Sequence, residues 1–168
     1  AAKAEVVIQE LTTPSGINLW LVEEHSIPFV ALEMDFVGGS VLDLPGKRGA
    51  TNLMMALIEE GSGEMDAQTF QATRESLAAS FGYRSYDDNI SVSAKFLSDK
   101  RDESVALLAQ SLNAPRFDQT AIDRVRGQVL ANIASDEMDV QSIAGTVFDR
   151  EAFGDHPYGT SGNGTIDS

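Results

Sequence analysis

Two kinds of apolar spacing follow one another along this chain in blocks, and their order narrows the fold more than any single residue does. Over residues 30–37 apolar and polar residues alternate, with Val30, Leu32, Met34 and Phe36 on one face, and the run stops at Gly38-Gly39. A period of two marks a half-buried strand. Ile90, Val92, Ala94 and Phe96 repeat the pattern. Upstream, the β-rich runs 6–11 and 17–23 flank Thr12-Thr13-Pro14-Ser15-Gly16, a turn composition that predicts a hairpin. Trp20, the only tryptophan, lies in its second strand and is expected in the core.

Elsewhere the spacing is helical. Residues 52–60 read as a helix ended by Gly61-Ser62-Gly63. Asp66 is placed to cap a second helix with the apolar stripe Phe70, Leu77 and Phe81, ending at Gly82. Asp99 is expected to cap a third, with Val105, Leu108 and Leu112 inward and Pro115 just beyond its end. Asp118 can open a long fourth helix in which Ile122, Val125, Val129 and Ile133 recur at helical intervals. After a break at Asp136-Glu137-Met138-Asp139, residues 143–153 read as a shorter helix with Val147 and Phe148 inward. Segregated runs of this kind favour an α+β fold, an antiparallel-rich sheet packed against helices, over a regular βαβ alternation. Residues 1–168 are expected to form a single α+β domain, an incomplete N-terminal portion of a longer two-domain chain. A truncated sheet of that kind exposes an unpaired edge and favours self-association.

Charge excludes some partners. The 168 residues carry 12 Lys and Arg against 26 Asp and Glu, a formal net charge of −14. Such a surface repels phosphate backbones, so nucleic acid is not an expected partner. An anionic membrane surface is disfavoured for the same reason, and no apolar run approaches the roughly 20 residues that span a bilayer. Ala1-Ala2-Lys3-Ala4 resembles the small-residue stretch after a signal cleavage site, which points to a periplasmic or otherwise exported protein, with the cytoplasm as the alternative.

Few residues are equipped for chemistry. There is no cysteine, which removes disulfides and thiolate metal sites. The two histidines, His25 and His156, stand 131 positions apart, and neither lies near a glycine-flanked serine elbow. Zinc needs about three converging ligands, usually with histidine among them. His156 in Asp155-His156-Pro157-Tyr158 reads more simply as a loop imidazole, hydrogen-bonded locally. Asp87-Asp88-Asn89 has oxygen ligands for a hard cation, but a turn between strands accounts for it more cheaply.

Three segments nevertheless fall in a telling order: Phe36-Val37-Gly38-Gly39-Ser40, then Gly49-Ala50-Thr51-Asn52 through Gly61-Ser62, then Phe153-Gly154-Asp155-His156-Pro157-Tyr158-Gly159. The set resembles the pitrilysin/insulinase (inverted-zincin) metallopeptidase family, in which a strand ending in G-S, a helix bearing H-x-x-E-H and an H-P-Y-G loop occur in that order. Laid on this sequence, the first zinc-ligand histidine falls on Asn52, the general-base glutamate on Met55 and the second histidine on Ala56. The family's third ligand, a glutamate, falls on Asn132, 76 positions after Ala56. All four functional positions depart from the family pattern.

The resemblance therefore implies a non-catalytic member, inactive alone, with no cofactor of its own. Without a Lewis acid and a base, water keeps its high pKa and is no nucleophile at neutral pH. Zinc is expected only in a homologous zinc-bearing peptidase subunit, with which this chain would form the opposite wall of a chamber for an extended peptide substrate. The alternative is a purely structural scaffold of the same fold. An active site using relocated carboxylates such as Glu59 and Glu60 is disfavoured, because adjacent helical residues point about 100° apart.

Overall fold

The computed structural model describes residues 7–168. Val6 and Ala1-Ala2-Lys3-Ala4 lie outside the described residues. In chain order the elements begin with β1 (Gln9–Thr12), β2 (Asn18–Leu21), β3 (Phe29–Val37) and α1 (Ala50–Leu57). Two short strands, β4 (Gly61–Ser62) and β5 (Met65–Asp66), precede α2 (Ala67–Ser76). β6 (Ser80–Ser85), β7 (Asn89–Leu97), α3 (Arg101–Asn113), α4 (Gln119–Asp136) and α5 (Val140–Phe153) follow.

The central sheet is antiparallel, in the order β3-β7-β6. Its register sets Val30 against Phe96, Leu32 against Ala94 and Met34 against Val92, so the apolar faces of β3 and β7 coincide. On β7, the middle strand, Val92, Ala94 and Phe96 are buried. Helices α1, α2 and α3 cover this face with Met55, Ile58, Phe70, Leu107 and Leu108, and Phe81 of β6 completes the cluster. β3 is an edge strand, and its burial is uneven: Val30 and Met34 pack against the cluster while Leu32 and Phe36 stay exposed. A second, smaller cluster joins α1 to α4 through Leu57, Ala121 and Val125.

Local chemistry explains several boundaries. The Asp66 carboxylate accepts the Thr69 amide at 2.8 Å, as a helix N-cap should. Hydrogen bonding from the Thr69 side chain and amide holds its carboxyl below the usual range. β4 ends α1 and ties it to the end of α3, where the Gly63 amide donates to the Ala114 carbonyl at 2.8 Å. Tyr83 on β6 shares a 2.6 Å hydrogen bond with Ser111 of α3. Burial pushes its phenol above its ordinary value. The folded state therefore keeps a proton that the unfolded chain gives up above pH about 10, and stability falls as pH rises through that region. Tyr83→Phe is expected to flatten this alkaline loss. Urea unfolding on either side of pH about 10 checks it, and an unchanged slope counts against it.

Four expectations need correction. Trp20 is not in the core: it is 78% exposed, because β1 and β2 form a separate two-stranded sheet with every residue of β2 exposed. The second helix stops at Ser76, where Ala78 takes a left-handed φ of 49°, so Phe81 is buried from a strand rather than from a helix. The third helix is entered from Lys100 without a side-chain cap, not from Asp99, and Val105 faces outward while Leu107 faces in. Asp118 does open α4 as expected, although its carboxylate makes no cap bond and pairs with Arg116 at 2.8 Å. Finally, Val147 and Phe148 are exposed, and α5 has no buried residue.

Candidate functional site

The four positions marked by the family pattern lie on α1 and α4. Helix α1 follows Gly49, an N-cap residue at φ +96° with no side chain to cap with, and Asp43 substitutes from the preceding loop. Its carboxylate accepts the Gly49 amide at 2.8 Å, the Thr51 amide at 3.1 Å and the Thr51 hydroxyl at 2.5 Å. Leu53 and Leu57 then pack α1 against Ala121, Val125 and Val129 of α4. Asn132 follows Val125 on α4 by about two turns and is exposed.

The four side chains do not share one environment. Asn52 is half-buried, Ala56 is exposed, and Met55 is 3% exposed within the main core. The two amides can offer hydrogen bonds, but neither they nor the Met55 thioether nor the Ala56 methyl can take a proton from water at neutral pH. Among the described residues, no three His, Cys, Asp or Glu side chains gather as a metal-ligand set.

Glu59 and Glu60 are engaged in opposite directions. Glu59 pairs with Arg74 of α2 at 2.6 Å, and Glu60 with Arg124 of α4. Asp87 and Asp88 lie in the turn between β6 and β7, Asn89 opens β7, and each is used by the protein. Asp87 accepts the Ser40 hydroxyl at 3.1 Å and faces Arg48 at 3.7 Å; Asp88 accepts the Tyr158 hydroxyl, and Asn89 donates to Asp35 at 2.9 Å. His156 accepts the Tyr158 amide on Nδ1 at 3.2 Å, capping the turn over Pro157–Gly159. His25 lies on the hairpin side, 3.1 Å from Glu23.

Sequence reasoning missed the residue that draws these motifs together. Arg48 donates to the carbonyls of Ser40, Pro157 (2.8 Å) and Thr160 (3.2 Å). It thereby fastens the H-P-Y-G loop to the end of β3 and to the Asp87 turn. Gly39 suits this junction because a Cβ there would collide with the Tyr86 carbonyl. No spacing rule singles out an arginine whose partners are backbone carbonyls.

With this geometry in place, four similarities to known proteins bear on ancestry. The crystal structure of a peptidase M16 inactive domain from Pseudomonas fluorescens superposes with a TM-score of 0.91 at 27% identity, over 97% of this chain and 40% of that one. The crystal structure of a protease from Helicobacter pylori shares the fold, with a TM-score of 0.83 at 16% identity over 97% of this chain and 40% of that one. A curated relative, the non-peptidase homolog YmxG of Helicobacter pylori, is 27% identical over 146 residues, 87% of this chain and 34% of the relative. The chain thus spans about a third of that relative's length. The sequence model described as Insulinase (Peptidase family M16) matches residues 19–165, which is most of the chain. The α+β sheet-and-helix fold and the ordered motifs have one source: the chain belongs to the insulinase family, peptidase family M16.

Proposed function

We propose that this chain is the metal-free partner of a zinc-bearing M16 peptidase subunit and forms the opposite wall of a chamber that holds an extended peptide. The observation that carries the reading is Met55. At the position where the family pattern has its general base, the side chain is a thioether packed into the core at 3% exposure. It has no proton to exchange and no route to a substrate water. The amides at Asn52 and Asn132 and the methyl of Ala56 add no strong zinc ligand. Relatives described as an inactive domain and a non-peptidase homolog support the same direction.

The sheet supports this reading. β3 and β6 are edge strands among the described residues, each hydrogen-bonded on one side to β7. An extended peptide adds to such an edge through main-chain hydrogen bonds, with alternate side chains giving specificity.

The test uses the full-length protein, alone and co-expressed with a homologue bearing H-x-x-E-H. Zinc content and cleavage of a quenched-fluorescent peptide library are measured for each. The lone protein is expected to hold no stoichiometric zinc and to cleave nothing. The pair is expected to cleave at least about tenfold faster than the zinc-bearing chain alone, equivalent to about 1.4 kcal/mol of transition-state stabilisation. Chelator-sensitive cleavage by the lone protein would sink the reading. A pair no faster than its zinc-bearing member would leave a scaffold of the same fold instead.

A further inference from the structure

We draw no further inference here: the strongest candidate, the exposed apolar surface around Trp20 on the β1–β2 hairpin, carries nothing because no part of the structure shows what covers it.

Discussion

Phe70→Ala is expected to be the most destabilising truncation in the chain, costing about 3–5 kcal/mol. Phe70 is fully buried on α2, where it meets Met55 and Ile58 of α1 and the apolar face of β7. Removing the ring loses its transfer energy and leaves a cavity that its neighbours cannot fill without leaving their rotamers. Domains have only about 5–15 kcal/mol of net stability, so the variant should populate unfolded chain at physiological temperature. Urea unfolding of the full-length protein reads the loss directly. A change below about 1 kcal/mol would mean that this cluster is not the core that holds the sheet to its helices.

Met55→Glu, which puts a carboxylate where the resemblance sets the family's general base, should destabilise by several kcal/mol rather than give activity. A carboxylate at a position 3% exposed, in one apolar cluster with Ile58, Phe70 and Phe81, would lose its hydration. Desolvation raises the pKa of such a group, so the folded protein holds a proton that the unfolded chain has released above about pH 4.3. The loss should therefore be small in acid and grow as pH rises through that interval. Met55→Leu is the control for shape and should cost less than about 1.5 kcal/mol. A stable, pH-independent Met55→Glu protein would show that position 55 reaches solvent, and the vacated site would then be open to reconstruction.

The buried strand was the most legible element. Val92, Ala94 and Phe96 alternate because one face of β7 meets three helices, and that contrast is written in the residues themselves. Misreadings came where a pattern names a face without naming its cover. Val147 and Phe148 sit at helical spacing, yet α5 has nothing packed over them among the described residues. Trp20 has a strand's composition, but the hairpin pairs only with itself and leaves the indole out. On α3 the inward face includes Ser104 and Ser111, fully buried small polar residues that break the apolar period and shifted the expected stripe to Val105. Phe81 looked like the end of a helix because no glycine or proline separates Ser76 from Ser80; the break is made by Ala78 in a left-handed conformation.

The candidate site was readable in a narrower sense. Family spacing points to Asn52, Met55, Ala56 and Asn132 by residue type. It cannot say that Met55 turns into the core while Ala56 faces out, because both lie on the same short helix and only its packing separates them. Arg48 was invisible for another reason: its three hydrogen-bond partners are carbonyls, which every residue has.

That arginine also orders events in time. Its bonds to Pro157 and Thr160 close loops of 109 and 112 residues, and Ser168 returns to its carbonyl across 120. Closing a long loop costs entropy before any contact repays it, so distant pairings lag local ones in folding. On a ribosome the strands that end at Leu97 are made well before the H-P-Y-G segment exists. The sheet can therefore assemble first, with the Arg48 guanidinium as the berth on which the H-P-Y-G segment later comes to rest.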